Sequence, residues 1–179
     1  MVTWYVVLVA AVALERVAEL VVSRRNAAWS LQRGGVEYGA RHYPAMVVLH
    51  TALLAGCLLE VLAVGRPFVP ALGWAMLLVV VASQCLRWWC ITTLGHQWNT
   101  RVIVVPGLRL VARGPYRRLR HPNYVAVVAE GIALPLVHSA WVTAVCFTAL
   151  NAVLLRVRIS TENAALDSIR VDIALRPLP

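Results

Sequence analysis

Long uninterrupted apolar runs constrain this chain more than any other feature. A bilayer's hydrocarbon core takes ~20 apolar residues of helix at ~1.5 Å rise per residue. Val2–Val22, Pro44–Val64 and Ala71–Cys90 each have that length. A fourth apolar segment, Tyr124–Val137, is shorter, and a fifth runs from Ser139 to about Leu155. Only Pro135-Leu136-Val137-His138 separates these two, and its proline stops a helix, so they predict a helix hairpin. Runs in lipid must satisfy their backbone internally, which makes them helices. The expected fold class is all-α, an integral membrane helical bundle with about five transmembrane helices and a C-terminal hairpin. The short fourth helix is expected to be tilted, distorted or incompletely spanning. At 60% hydrophobic and 14% charged residues, the chain lies outside the balance of a soluble domain. Residues 1–179 are expected to form one domain. Three helices occupy 1–90, a connecting loop 91–123, the hairpin and its long last helix 124–166, and a tail 167–179.

All 17 basic residues are arginine and the formal net charge is +9. Most of them fall between apolar runs, not on one face, which argues against nucleic acid as a partner. Arg24, Arg25, Arg33 and Arg41 follow the first run, and Arg101, Arg109, Arg113, Arg117, Arg118 and Arg120 follow the third. Arg156, Arg158, Arg170 and Arg176 follow the fifth, whereas the other two connections hold only Arg66 and His138. The positive-inside rule then puts the N-terminus outside and the C-terminus in the cytoplasm. A bacterial inner (plasma) membrane is the expected location, with chemistry on the cytoplasmic side. Membrane lipids are expected partners, because Arg113, Arg117 and Arg118 suit lipid phosphates. The first run lacks a basic leader segment and a small-residue cleavage pattern, so it is expected to remain in the mature protein. Cys57, Cys85, Cys90 and Cys146 form no CxxC pair and read as packing residues, not a metal site or a disulfide.

Charges inside a span each cost ~2.5–3.5 kcal/mol on insertion scales and need a reason. Glu15, Arg16 and Glu19 lie in the first run, and Arg16 and Glu19 are spaced to pair at i,i+3. His50 and Glu60 read as packed polar contacts in the second. Glu130 stands alone in the short fourth run; it must be paired, protonated or facing a wet cavity. Structural pairing and service as a general base are equal readings of it. His121 is the other candidate base.

The densest polar stretch is Pro106–Tyr124, reading PGLRLVARGPYRRLRHPNY. Pro122 suits the first turn of the fourth helix, with His121 at its cap. Tyr116, Arg120, His121 and Tyr124 should cluster at the mouth of the hairpin. Beyond the fifth run, Arg158 and Glu162 are spaced i,i+4, as a surface ion pair or as site residues.

GPYxxxRHPxY, a helix hairpin and then RxxxE together resemble the isoprenylcysteine carboxyl methyltransferase superfamily. The resemblance covers about Trp98 to Leu166. AELVVSRRN and HYPAMVVLH, around the end of the first helix and the start of the second, look closer to its small bacterial branch. Members of that branch accompany type III polyketide synthases and methylate alkylpyrone-like or alkylresorcinol-like lipids. The resemblance implies S-adenosylmethionine as cofactor. It implies cofactor contacts at Leu108, Arg109, Leu110 and Val111, at Tyr116, and at His121, Pro122, Asn123 and Tyr124, beside Arg120. It implies a substrate-associated arginine at Arg158 and a cofactor-holding carboxylate at Glu162. Gln97 matches an upstream glutamine, at a different spacing. Two departures bear on the substrate: Glu162 is followed by Asn163 where many relatives carry a second acid, and Leu108 stands where eukaryotic members carry histidine.

The residue types suit that chemistry. An arginine binds a carboxylate, an acid an ammonium or diol, and tyrosine faces an adenine or sulfonium. Methyl transfer asks for positioning and water exclusion more than for covalent catalysis. No GxGxxG stands in a βαβ pattern, which argues against a soluble Rossmann-type site. The function expected is an S-adenosylmethionine-dependent membrane O-methyltransferase acting on a lipophilic small molecule. Alkylpyrone or alkylresorcinol polyketide lipids lead as acceptors, with a type III polyketide synthase as partner, and isoprenylcysteine-type carboxyl methylation is the alternative. Two others are a nicotinamide-dependent membrane reductase of related helical fold, separated by which cofactor raises the melting temperature, and a non-catalytic scaffold for a soluble synthase, separated by whether Arg158→Ala and Glu162→Ala keep the cellular role.

Overall fold

The computed structural model describes residues 2–175. Five helices form the bundle: α1 (Val2–Leu31), α2 (Tyr43–Val64), α3 (Pro70–Leu94), α4 (Pro122–Leu136) and α5 (Trp141–Leu175). Among the described residues, three helical segments are long and apolar enough to cross a membrane: Ala40–Val64, Pro70–Gln97 and Trp141–Asp167. The 30-residue α1 has the length but carries Glu15, Arg16 and Glu19 in its middle. At 15 residues α4 rises only ~22 Å, short of the ~30 Å core. It is the inner helix of the bundle, packed between α3 and α5. Gly131 permits this, since a Cβ there would overlap the ring of Phe147 on α5.

The core runs down the bundle through Tyr5, Val9, Leu53, Val61, Val80, Leu134 and Val137. Leu14, Val48, Leu78 and Val145 point outward and are exposed, as lipid-facing residues must be. The hairpin between α4 and α5 turns where expected, with Ser139 at φ 58°. Glu60 secures that turn. Its carboxylate accepts from the backbone N–H groups of Val142 and Thr143, at 3.2 and 2.7 Å, and from the Thr143 hydroxyl at 2.8 Å. It therefore satisfies unpaired donors at the start of α5, in keeping with a packed polar contact.

Beyond Val22, α1 continues through the arginine pair to Leu31. One expectation needs correction: the 91–123 connection is not all loop. β1 (Val36–Tyr38) pairs antiparallel with β2 (Val102–Val104), with Glu37 opposite Ile103. The extension of α1 holds this region: Asn26 donates to the Gly95 and Trp98 carbonyls at 3.1 and 2.7 Å, and Ser23 donates to Asn99 at 2.7 Å. The last helix continues beyond the apolar run's end near Leu155 to Leu175. Of the tail arginines, Arg176 lies outside the described residues, as does the side chain of Arg170.

Candidate functional site

The first turn of α4 and two successive turns of α5 meet at the arginine-rich end of the bundle. Pro122 opens α4 because it has no N–H to leave unpaired there, and this puts Tyr124 opposite α5. Arg158 and Glu162 share one face of α5 at i,i+4. They are not a simple ion pair: the Tyr124 hydroxyl stands between them. Arg158 Nε donates to that hydroxyl at 2.8 Å, and the hydroxyl donates to Glu162. His121 stacks on Tyr124 with ring centroids 5.3 Å apart. Its Nδ1 lies 3.3 Å from Glu162 Oε1 and its Nε2 3.0 Å from Asn163 Oδ1. With an acceptor at each nitrogen, the ring is held above the usual histidine range, first through its hydrogen bond to Glu162. Burial raises the Tyr116 hydroxyl well above its ordinary range, so it acts as a neutral donor.

A cavity of ≈ 340 Å³ opens beside this chain of contacts, between β2, the following loop and the ends of α4 and α5. Most residues expected at the site line it. Leu108, Leu110, Val111 and Gln97 contribute from the loop side; Tyr116, Arg120, His121, Asn123 and Tyr124 from the approach to α4; Arg158 and Glu162 from α5. Arg109 is not among the lining residues: its side chain is exposed and its carbonyl accepts from Gln97 at 3.5 Å. Pro122 is buried and likewise does not line the cavity. A second cavity, ≈ 160 Å³, lies deeper in the bundle and is lined from all five helices, with Arg16, Glu19 and Arg87 in its wall. Trp98, Asn123, Tyr124 and Arg158 line both. Trp98 Nε1 and Asn123 Oδ1 are buried there without a protein hydrogen-bond partner among the described residues, which leaves one donor and one acceptor for a bound molecule.

Arg158 is 5% exposed. Its Nη1 reaches Met46 Sδ at 3.3 Å, and among the described residues no carboxylate lies within ion-pair distance of it. A buried guanidinium left so is arranged to receive an anion.

Glu130 is held in ion pairs by arginines from two other helices. Arg16 Nη2 and Arg87 Nη2 lie 2.8 and 2.5 Å from its Oε2. Glu19 completes the group, 2.6 Å from Arg16 Nη1 and 3.4 Å from Arg87 Nε. Glu15 Oε2 lies further out, 3.6 Å from Arg16 Nη2, and Glu130 lines neither cavity. Arg87 escaped notice in the sequence because one arginine hardly lowers the hydropathy of its run; two unmatched acids on other runs were the available signal. Trp98 carried no signal short of the fold.

Residues 75–168 match the model of the isoprenylcysteine carboxyl methyltransferase (ICMT) family. The chain belongs to that family. The matched span includes Tyr116, His121, Tyr124, Arg158 and Glu162. An uncharacterized protein of Bacillus subtilis (strain 168), YpbQ, is 38% identical over 165 residues, covering 92% of this chain and 97% of the relative. An uncharacterized protein of Haemophilus influenzae is 25% identical over 154 residues, covering 84% and 88%. With three spans long and apolar enough to cross a bilayer, this member of the methyltransferase family is an integral membrane protein.

Proposed function

We propose that this family member is an S-adenosylmethionine-dependent membrane O-methyltransferase whose acceptor is a lipophilic molecule of the alkylpyrone or alkylresorcinol polyketide type. The observation that carries the reading is Arg158, a buried guanidinium with no carboxylate partner among the described residues, on the wall shared by two cavities. One cavity would take the methyl donor and the other the acceptor, so that the reacting atoms meet at Arg158, Tyr124 and Asn123. The larger volume suits a molecule of the donor's size. The donor supplies an electrophilic methyl group on sulfur. Glu162, oriented by His121 and Tyr124, would hold its ammonium or ribose, while Leu108, Val111 and Tyr116 flank its adenine. Arg158 would bind the acceptor's oxyanion and steady it in line with the methyl group.

The exposed arginines Arg24, Arg25, Arg117 and Arg118 support placing this end of the bundle in the cytoplasm, at the inner membrane. The donor then enters from water and the acceptor from the bilayer. A type III polyketide synthase on the cytoplasmic side would supply such an acceptor. The test is calorimetry of the purified protein with S-adenosylmethionine, followed by transfer of labelled methyl to an alkylpyrone, an alkylresorcinol and a farnesylated cysteine. Micromolar donor binding and label in a polyketide lipid are expected. Label in the farnesylated cysteine alone moves the acceptor to the isoprenylcysteine class, and no donor binding overturns the methyltransferase reading.

A further inference from the structure

The deeper cavity contains a histidine for which the scheme above has no use. His50 Nδ1 lies 2.8 Å from the carbonyl oxygen of Met46, one turn earlier on α2. A carbonyl oxygen only accepts, so Nδ1 carries the hydrogen. In the neutral ring Nε2 is then a lone-pair acceptor. Phe147 packs against the ring edge to face, centroids 5.4 Å apart at 84°, which fixes its orientation. Among the described residues no group bonds Nε2, and His50 lines the deeper cavity. Met46 lines it too, in contact with Arg158. Four residues of helix rise ~6 Å, so His50 follows, one turn along α2, the residue whose sulfur touches Arg158, and His50 and Arg158 both line the deeper cavity.

The neighbouring charges leave this role open. Arg16 and Glu19 on α1, Arg87 on α3 and Glu130 on α4 pair with one another, and Arg16, Glu19 and Arg87 also stand in the wall of the deeper cavity. Leu54, Leu154 and Leu155 make the cavity's flanks apolar. Val47 and Thr51, also in its wall, are exposed on the outside of the bundle, so the cavity reaches the lipid-facing surface.

We infer that His50 is the general base for a hydroxyl acceptor, and that the acceptor class is a lipid bearing a neutral phenolic or enolic O–H. This rests on the methyltransferase reading and deepens it. The acceptor's proton passes to His50 Nε2, giving the imidazolium. The acceptor oxygen uses its electron pair to form the O–CH₃ bond as the S–CH₃ bond breaks, and that bond's pair stays on sulfur, which becomes a neutral thioether. The imidazolium releases its proton to water as the product leaves. A carboxylate acceptor arrives already ionised and needs no such base, so His50 points to a hydroxyl.

The experiment uses the full chain in lipid nanodiscs and reads ionisation without the methyl donor. A long-chain alkyl nitrophenol is bound and its phenolate absorbance band recorded. The band should appear with the parent and be lost in His50→Asn, which keeps an N–H toward Met46 but lacks Nε2. In His50→Ala, added imidazole should restore it. With donor and an alkylresorcinol, kcat of His50→Asn should fall at least about a hundredfold with little change in KM, while donor affinity by calorimetry stays at the parent value. Equal bands in the parent and His50→Asn, no nitrophenol binding by the parent, or no restoration by imidazole would each overturn the assignment. A parent that ionises the nitrophenol but binds no S-adenosylmethionine would sink the methyltransferase reading and leave the base in place.

Discussion

Two buried arginine sites lie within this one bundle, and they are built in opposite ways. Arg16 and Arg87 sit in the middle, closed off by Glu19 and Glu130 at 2.5–3.4 Å. Arg158, nearer the arginine-rich end, touches a hydroxyl and a thioether and has no carboxylate partner among the described residues. In low dielectric a charge must be compensated. Where the protein compensates it internally, the group ties helices together. Where compensation is incomplete, the remainder is available to a ligand. The contrast supports an architectural role for Glu130 and a binding role for Arg158, though both are charges in or beside apolar runs.

The largest expected effect breaks the closed group. Glu130→Ala leaves Arg87 with Glu19 alone and Arg16 with Glu19 and the more distant Glu15, and loss of one partner from a buried pair costs about 3–5 kcal/mol. A large fall in melting temperature is expected, with donor affinity intact in whatever remains folded. A stable variant that loses only activity would reverse the assignment. Next is Arg158→Lys, in which a point charge replaces a planar fork. Acceptor kcat/KM should fall roughly a hundredfold, from a charge-assisted contact of ~1.5–3 kcal/mol, while melting temperature changes little. Glu162 is more exposed than Arg158, so Glu162→Gln should weaken donor binding by about tenfold, up to a hundredfold. Unchanged calorimetric affinity would move the donor elsewhere.

Smaller still is the pH dependence of the His121–Glu162 contact. Its histidine is raised in the folded protein, so its contribution is fully present below the unfolded value of ~6.5 and is lost as pH rises through the folded one. The melting-temperature gap between the parent and His121→Gln should therefore narrow with rising pH over that window; a constant gap would mean that the imidazolium adds nothing. At the bottom is Arg120→Ala. Arg120 and Asp167 are 3.7 Å apart with side chains 56% and 60% exposed, so the change should cost well under ~1 kcal/mol. A loss of donor affinity there would show that Arg120 serves the cavity it lines.

Much of the arrangement can be read from local pattern. Apolar length locates the spans, Pro135 the hairpin, and Pro122 the start of α4, because each effect acts within a few residues of chain. The boundaries that moved did so through tertiary contacts. The polar face of α1 beyond Val22 remains helical because Asn26 and Ser23 find partners on the Gly95–Thr100 loop, which hydropathy cannot register. The antiparallel ribbon of Val36–Tyr38 with Val102–Val104 joins segments more than sixty residues apart.

The sequence by itself determined that this chain is a helical membrane protein with its arginines gathered at particular connections. It also determined, through GPYRRLRHPNY and the later Arg158 and Glu162, which family's motifs it carries. These are properties of composition and short spacing. Only the tertiary structure decided which charges close on one another and which stay open. Arg87 had to be brought to Glu130, 43 residues away, before that acid became structural. Tyr124 had to be set between Arg158 and Glu162 before their spacing became a hydrogen-bonded chain and not a surface pair. Compensation of a buried charge depends on distances of a few ångströms between different helices, and helix-to-helix distance is the quantity that a linear pattern does not contain.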